Sequence, residues 1–449
     1  MARLFGTDGV RGVVNDTLTP ELAFHLGRVA ATYFSRQHTA PRFLIGRDTR
    51  ISGTMLMAAL AAGICSVGGA VDDAGVIPTP GVAYLTKRGR YAAGVMISAS
   101  HNPFPDNGIK FFDSQGFKLP DETEDELELM LRQTVMAEYT RPTGADIGVI
   151  TPRPDLVQRY IDYVVATAPV RLDGMKIVTD TANGAASTVT PKVLETLGAT
   201  VIALSAEPNG VNINDDCGST HPARLQEAVK AHGAAAGIAN DGDADRCIMV
   251  DEHGALVDGD RILYLCALHL QAHDALPDNT VVATVMSNIG LEKSLATSGI
   301  HLERTAVGDR YVLERMREHG YMLGGEQSGH VIFLRHNTTG DGVLTAVQVL
   351  GMMRERHATM GELTAGLVIY PQLLVNVPTV DKHAWESDPV VQAAIAAGTD
   401  ELGDDGHILV RASGTESLVR VMAEGPSEEQ LKRIVGEIAD AIARDSLAK

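Results

Sequence analysis

The sequence predicts a multidomain α/β protein built on mixed, mostly parallel sheets. Short apolar runs alternate with segments of helical periodicity along the whole chain, which is typical of βαβ units. At 449 residues the chain exceeds what one hydrophobic core usually holds, so we expect three or four domains. Its 45 glycines fit the many strand-to-helix turns of such a fold. The sequence shows no repeat of about 20 to 50 residues, which argues against a solenoid.

The sequence predicts three helices in the first unit, two from capping residues and one from an amphipathic pattern. Thr19 is expected to cap a helix that has Pro20 in its first turn. Ser52 is expected to cap an apolar helix that runs through Ala62. The acidic stretch Glu122–Glu138 predicts an amphipathic helix whose charged face is solvated.

Apolar runs then place the strands and divide the chain. Buried strands are predicted at Arg42–Ile45, Ala92–Ile97, Lys176–Asp180, Ile248–Val250 and Val281–Val285. The third unit also contains a helix that starts at Asp258 and another around Val343–Met353. The pattern breaks near Arg141–Pro154 and at a linker-like segment, Gly366–Gln372. The last residues of the chain, about 75 in number, follow the order strand, helix, strand, strand, helix. We therefore predict four domains, at residues 1–152, 153–253, 254–366 and 367–449, the last a smaller α+β domain.

Composition restricts the partners. The formal net charge of −19 argues against a nucleic-acid partner, which needs a basic stripe. Basic residues lie instead inside short motifs, which favours a small anionic ligand over scattered surface charge. No apolar run reaches the roughly 18 residues of a membrane helix, so no membrane partner is expected. The four cysteines lack metal-site spacing, and Cys65 and Cys266 lie in apolar runs, so we expect a reducing, cytoplasmic location.

A serine motif follows the predicted strand that ends near Ile97. Ser98 and Ser100 are two residues apart, so a continued strand would point both to one side, and periodicity cannot choose between them. Ser100 is nearer the turn and is favoured as the nucleophile. His101 and Asn102 can hold the turn or contact a transferred group. An ordinary loop rich in serine, asparagine and proline is the alternative.

Asp241, Asp243 and Asp245 occupy alternate positions after another apolar run. Three such carboxylates repel one another unless a cation holds them, and hard oxygen ligands favour Mg²⁺. A calcium EF-hand loop fits poorly, because Arg246 stands where that loop requires glycine. A solvated acidic turn is the remaining alternative.

Two further loops carry hydroxyls and charges. In Gly324–His330, Glu326 and Ser328 can bind sugar hydroxyls and His330 can carry a proton, although a structural glycine turn explains this motif equally well. In Arg411–Glu416, hydroxyls and amides beside a guanidinium match a phosphate, and Arg420 can add a second cation. Taken alone, this motif is better explained as a loop that joins two strands, and the other motifs favour an anion site.

Three weaker segments add cations. The glycine-rich stretch Gly6–Gly12 contains Arg11 but lacks the features of a P-loop or a dinucleotide-binding turn. Lys110 follows an Asn-Gly pair and can neutralise phosphate. Arg47 and Arg50 can do the same or form surface ion pairs.

Taken in order, five of these motifs resemble the α-D-phosphohexomutase superfamily along essentially the whole chain. They are Gly6–Gly12, Ile97–Pro103, Asp241–Arg246, Gly325–His330 and Arg411–Glu416. Gln327 resembles the phosphoglucosamine branch. The phosphomannomutase and phosphoglucomutase branches usually have methionine at this position. Ala412 and Ser417 depart from that branch, which commonly has proline at both positions.

The resemblance implies four domains around a central cleft and a phosphoserine mechanism. Ser100 would carry the phosphoryl group and would bind one Mg²⁺ per chain together with the three aspartates. The phosphoryl group would pass to O1 of glucosamine 6-phosphate, and the resulting 1,6-bisphosphate would turn over and leave glucosamine 1-phosphate. A hexosamine or glucose 1,6-bisphosphate would act as activator. The substrate would be held by Arg246, Glu326, Ser328, Arg411, Ser413, Gly414, Thr415 and Arg420.

Proton transfer stays open at this stage. Lys110 and His330 are the candidates, with Arg11 and His101 as further catalytic residues. Closure of the last domain about Gly366–Gln372 would exclude water. A neutral-hexose mutase of the same superfamily, a phosphatase and a non-catalytic sugar-phosphate regulator are the competing functions. The sequence does not determine the oligomeric state, and a homodimer is among the states that it allows.

Overall fold

The computed structural model of the chain describes residues 3–6, 8–133, 139, 141–413 and 417–447. Within these residues, four sheets follow one another along the chain, as the alternating pattern predicts. No described helix has both the length and the apolar surface that a bilayer crossing requires.

The first sheet has six strands, β1 Val10–Val13, β2 Arg42–Arg47, β3 Ala70–Val76, β4 Ala93–Ile97, β5 Asp106–Asp113 and β6 Ile150–Pro152. Their order is β1-β5-β4-β2-β3-β6, with β5 antiparallel to both of its neighbours and the remaining pairs parallel. Four helices accompany it: α1 Pro20–Phe34, α2 Gly53–Cys65, α3 Thr79–Gly89 and α4 Asp121–Gln133. The predicted strands at Arg42–Ile45 and Ala92–Ile97 are confirmed.

Three local predictions have different outcomes. Thr19 caps α1 through its side chain, which accepts from the Leu22 amide. Ser52 makes no such cap, because its hydroxyl instead accepts a hydrogen bond from Asn107, 2.9 Å away. The solvated face predicted for α4 is wrong in part, since Glu124 is fully buried and pairs with Lys118 at 2.9 Å. The predicted helix continued through residues 134–138, which lie outside the described residues.

The second sheet has five strands, β7 Lys176–Asp180, β8 Thr200–Leu204, β9 Ala236–Ala239, β10 Ile248–Val250 and β11 Leu256–Val257, in the order β11-β10-β9-β7-β8. Helices α5 Asp155–Thr167, α6 Val189–Thr196 and α7 Ala223–His232 accompany it. Strand β11 pairs with β10, so this sheet reaches beyond residue 253, where the sequence placed a boundary.

The third sheet has the order β13-β12-β14-β15, built from β12 Thr280–Thr284, β13 His301–Thr305, β14 Leu323–Gly325 and β15 Val331–Phe333. Its helices are α8 Gly259–Ala272, α9 Ile289–Thr297, α10 Asp309–His319, α11 Gly342–Arg356 and α12 Met360–Thr364. Apolar side chains of the first, second and third units belong to one continuous core, so these three units are packed against one another.

The last unit is antiparallel, with β16 Gln372–Pro378, β17 His407–Ala412 and β18 Leu418–Glu424 in the order β16-β18-β17. Helices α13 Pro389–Leu402 and α14 Glu428–Leu447 cover it and enclose a separate core. The predicted order of elements is confirmed. The linker predicted at Gly366–Gln372 has no regular structure up to Pro371, and Gln372 begins β16.

Candidate active site

Ser100 lies in a strained loop directly after β4. Its backbone has a φ of +51°, a left-handed conformation that costs a non-glycine residue about 1–2 kcal/mol. The Ser100 amide donates to Ser98 Oγ at 3.0 Å, and Ser98 Oγ in turn donates to Asp48 at 2.5 Å. The two serines therefore point in different directions, which the strand periodicity could not show.

Arg50 and Asn214 hold this loop in place. Arg50 donates to the carbonyl oxygens of Ser100 at 3.2 Å and Asn102 at 2.5 Å. Asn214 Nδ2 donates to the same two oxygens at 2.8 and 3.0 Å. Arg50 also forms a fully buried ion pair with Asp48, so it supports the loop rather than neutralising a ligand. Together these donors offset the strain at Ser100.

The Ser100 hydroxyl faces the aspartate motif. Ser100 Oγ donates to Asp241 Oδ2 at 2.6 Å and lies 3.4 Å from His101 Nδ1. Both Ser98 and Ser100 are buried, so greater exposure, the feature that favoured Ser100 in the sequence, does not distinguish them. The contact with Asp241 of the aspartate motif distinguishes Ser100 from Ser98. Burial and the nearby Arg246 lower the pKa of His101 to about 4, so its ring is neutral at physiological pH.

Asp241, Asp243 and Asp245 converge on one point. Each offers a carboxylate oxygen, and these oxygens lie within 4.8 Å of one another in a buried position. Burial together with Asp241 raises the pKa of Asp243 to about 6, and burial with both neighbours raises the pKa of Asp245. Asp243 Oδ1 and Asp245 Oδ1 are buried without a hydrogen-bond donor. Clustered, under-satisfied hard oxygens fit Mg²⁺, which the sequence predicted.

The backbone of this loop is held from two directions. Thr79, at the start of α3, donates its hydroxyl to Asp243 Oδ2 at 2.5 Å, and its amide donates to the Asp243 carbonyl at 2.9 Å. From the other side, the Gly342 amide at the start of α11 donates to the Ala244 carbonyl at 3.0 Å. The loop is therefore fixed by the first and third units.

Lys110 lies on β5 beside three charged groups. Its ammonium is 3.4 Å from Asp8 and 3.9 Å from Asp309, and Arg11 pairs with Asp8 at 3.4 Å. Burial alone would lower the pKa of Lys110, but these carboxylates raise it above its usual value. Burial opposes ionisation of Asp8, yet Lys110 and Arg11 hold the pKa of its carboxyl below the usual range. Lys110 is therefore a fixed cation in this structure.

His330 is almost fully buried between the second and third units. Its Nε2 accepts a hydrogen bond from the Gly340 amide at 3.2 Å and lies 3.6 Å from Asp309 Oδ2. An N–H donor can point only at an unprotonated ring nitrogen, so Nε2 carries a lone pair in this arrangement. Arg246 and His330 are also joined as an isolated antiparallel bridge, which connects the aspartate loop to the turn after β14.

Glu326 and Ser328 occupy that turn. Ser328 Oγ donates to Glu326 Oε2 at 3.2 Å, while Glu326 Oε1 accepts from the Gly308 amide at 3.2 Å. Gly329 has a φ of +92°, and a Cβ there would lie 2.4 Å from the Cys247 carbonyl oxygen. Glycine is therefore required to bring this turn against the second unit.

The predicted phosphate loop lies in the last unit. Arg411 on β17 is directly opposite Arg420 on β18, so both side chains project from the same face. Burial and the neighbouring Arg420 lower the pKa of Arg411. Ser413 is buried, and its carbonyl accepts from Lys382 at 2.7 Å. Gly414 and Thr415 lie outside the described residues. Opposed cations at a hydroxyl-bearing loop are suited to an anionic group.

Comparison with known proteins identifies the family. Four models of the phosphoglucomutase/phosphomannomutase family match in order: α/β/α domains I, II and III at residues 2–136, 158–254 and 258–369, and the C-terminal domain at 374–441. Phosphoglucosamine mutase from Heliobacterium modesticaldum is 53% identical over 99% of this chain and 100% of its own length. That from Symbiobacterium thermophilum is 55% identical over 98% and 99%. The chain belongs to the phosphoglucosamine mutase family.

Solved structures of the wider superfamily share the fold. A phosphoglucomutase/phosphomannomutase family protein from Burkholderia thailandensis has a TM-score of 0.83 at 25% identity, with 99% of this chain and 98% of that one covered. N-acetylphosphoglucosamine mutase from Aspergillus fumigatus, solved with GlcNAc-6P and magnesium, has a TM-score of 0.70 at 19% identity, covering 99% and 96%.

Membership in this family makes the chain an isomerase-type phosphotransferase.

The structure also places several residues in the site that the sequence motifs do not predict. Asp8 lies in the Gly6–Gly12 segment and Asp48 lies between Arg47 and Arg50, but the sequence predicts ligand contacts only for the basic residues of these segments. Asn214 and Asp309 come from other units and carry no local signal beyond a polar turn and a helix start. Arg47 pairs with Asp73 at 3.0 Å, as its ion-pair alternative predicted.

Proposed function

We propose that this protein interconverts glucosamine 6-phosphate and glucosamine 1-phosphate, with Ser100 as the phosphoryl carrier. The observation that carries the proposal is the contact of Ser100 Oγ with Asp241, inside a cluster of three buried carboxylates. The amino-sugar substrate is supported by relatives that are 50–55% identical over nearly the whole chain and are named phosphoglucosamine mutases.

The reaction has two transfers that balance each other. In the first, phosphorylated Ser100 loses its phosphoryl group to O1 of glucosamine 6-phosphate, so the Oγ–P bond breaks and an O1–P bond forms. In the second, after the 1,6-bisphosphate has reversed its orientation, Ser100 Oγ takes the 6-phosphoryl group, so the O6–P bond breaks and the Oγ–P bond forms again. Glucosamine 1-phosphate leaves and the phosphoenzyme is restored.

The carboxylates of Asp241, Asp243 and Asp245, with an oxygen on Ser100, would hold Mg²⁺. The ion, when bound, supplies positive charge beside the transferring phosphoryl group. We propose one ion per chain, because the described residues provide one buried cluster of this kind in the cleft.

The remaining cations of the site stabilise charge. Lys110 and Arg246 are held beside the aspartate loop, and the carboxylates around Lys110 keep it protonated. Since a protonated lysine cannot accept a proton, we propose Lys110 as an electrostatic stabiliser. The proton of the attacking hydroxyl goes to His330, and Asp309 Oδ2, 3.6 Å from Nε2, stabilises the imidazolium that forms. His101, which is neutral and adjacent to Ser100 Oγ, contacts the transferring group.

The non-reacting phosphate would be held by Arg411, Ser413, Gly414, Thr415 and Arg420, while Glu326, Ser328 and Arg246 would contact the sugar. The same cradle serves both orientations of the bisphosphate, so few and symmetric contacts are expected. A 1,6-bisphosphate would restore the phosphoenzyme whenever it loses its phosphoryl group. Light scattering of the purified protein would determine whether it is a homodimer.

A coupled assay tests the proposed function. Turnover is measured with glucosamine 6-phosphate, Mg²⁺ and a trace of 1,6-bisphosphate, beside glucose 1-phosphate and mannose 1-phosphate as alternative substrates. We expect the amino sugar to be preferred in kcat/KM. A preference for neutral hexose phosphates would instead support the phosphomannomutase/phosphoglucomutase alternative, and release of inorganic phosphate without isomerisation would support a phosphatase.

A further inference from the structure

A second group of metal-type ligands lies far from the cleft, where α8 and α11 end. His269 is in the last turn of α8, and His273 follows one turn later at the residue that ends this helix. Residues four apart lie on the same face of a helix. Glu355 is in the last turn of α11, which packs against α8. Two imidazoles and a carboxylate therefore meet between the ends of two helices.

Their distances suit one ion. Each residue offers a ligand atom within 4.8 Å of the other two, and His269 Nε2 lies 3.8 Å from Glu355 Oε2. The ring centroids of His269 and His273 are 4.3 Å apart. Ligands about 2.1 Å from a tetrahedral zinc ion are roughly 3.4 Å apart, so small side-chain rotations complete the site.

The hydrogen bonds leave the required lone pair on His273. Its Nδ1 lies 2.8 Å from the His269 carbonyl oxygen, which can only accept, so Nδ1 carries the proton. In the neutral imidazole the lone pair is then on Nε2, which is the nitrogen that can bind a metal. A backbone carbonyl that fixes the second ring nitrogen is the usual support of a metal-binding histidine.

We propose that His269, His273 and Glu355 bind a zinc ion that joins the end of α8 to the end of α11. Two imidazole nitrogens with one carboxylate favour zinc over Mg²⁺, which prefers oxygen ligands alone. Three protein ligands leave a fourth position for water at this partly exposed edge. The site lies at the opposite end of α11 from Gly342, roughly 20 Å along the helix, so it is separate from the aspartate cluster.

Zinc affinity tests the proposal. The full-length protein is titrated with Zn²⁺ against a chromophoric chelator, in excess Mg²⁺ that fills the aspartate cluster. We expect one tight zinc ion, bound more weakly in His273→Gln and in Glu355→Gln by at least the roughly 10–100-fold that loss of a supporting residue costs. The matched control is His253→Gln, which removes an exposed histidine 3.6 Å from Glu252 and should leave the affinity unchanged.

Two further readouts separate this site from the cleft. Asp243→Asn should retain the histidine-dependent zinc ion, because it alters only the aspartate cluster. Zinc should raise the Tm of the wild-type protein and not that of His273→Gln, whereas mutase turnover in Mg²⁺ should be equal in both. Unchanged zinc affinity in His273→Gln, or loss of the tight ion in Asp243→Asn, would overturn the proposal without affecting the proposed function.

Discussion

Asn214→Ala tests whether the strained Ser100 loop is held by the donors that the structure shows. Four hydrogen bonds, two from Asn214 and two from Arg50, end on the carbonyls of Ser100 and Asn102. At about 1 kcal/mol each they contribute about 4 kcal/mol, against a strain of about 1–2 kcal/mol at Ser100. Removing Asn214 leaves about 2 kcal/mol, so the strained and relaxed loops become similar in free energy.

The expected effect is a loss of turnover with little loss of binding. When the two loop conformations have similar free energies, about half of the molecules hold Ser100 in position, so kcat should fall about twofold. The KM should change little because Asn214 contacts the loop rather than the substrate. Steady-state kinetics with glucosamine 6-phosphate gives both constants. The control is Asn212→Ala, whose side chain donates to the Glu207 carbonyl at the surface. A kcat for Asn214→Ala equal to that of wild type and of Asn212→Ala would refute the positioning argument.

Three further changes test other parts of the site. Lys110→Met should lower kcat by about 10²-fold while Lys110→Arg retains most turnover, because the role is charge; equal losses in both variants would indicate a proton acceptor instead. Arg411→Ala should raise the KM about tenfold or more without lowering the Tm, since the opposed Arg420 loses a repulsive neighbour; an unchanged KM would place the phosphate elsewhere. Burial and the nearby Asp258 raise the pKa of Asp260 to about 7. The folded protein therefore keeps a proton that the unfolded chain releases above about pH 4. The free energy of unfolding should fall as the pH rises to 7 and then level off. Asp260→Asn should remove this pH dependence and stabilise the protein at pH 8 by about 2 kcal/mol, roughly half of what the full shift in the Asp260 pKa implies. Denaturant unfolding at pH 5 and 8 measures the free energy of unfolding. An unaltered pH dependence in the variant would contradict the assignment.

Much of the architecture follows from local sequence rules. The strands that end near Ile97 and Thr284 are buried on both faces, so their uninterrupted apolar runs are sufficient to predict them. The alternate spacing of Asp241, Asp243 and Asp245 likewise predicts a carboxylate cluster without any knowledge of the fold. The order of elements in the last unit follows from hydrophobic periodicity alone.

Tertiary contacts decide what local rules miss. Ser52 has the right residue type for a helix cap, but Asn107 from β5 engages its hydroxyl. Glu124 looks like a surface residue of an acidic helix, yet Lys118 compensates its burial. Asn214 and Asp309 reach the site only because the second and third units pack against the first, and no local pattern reports such packing.

The phosphoryl carrier is the centre of this account, and transfer from an isolated phosphoenzyme tests it most directly. Protein labelled with radioactive phosphate is mixed with glucosamine 6-phosphate in a single turnover, beside Ser100→Ala and Ser98→Ala. We predict that the label passes to the sugar bisphosphate in wild type and in Ser98→Ala, and that Ser100→Ala takes up no label. Labelling of Ser100→Ala, or label that leaves wild type only as inorganic phosphate, would contradict the account.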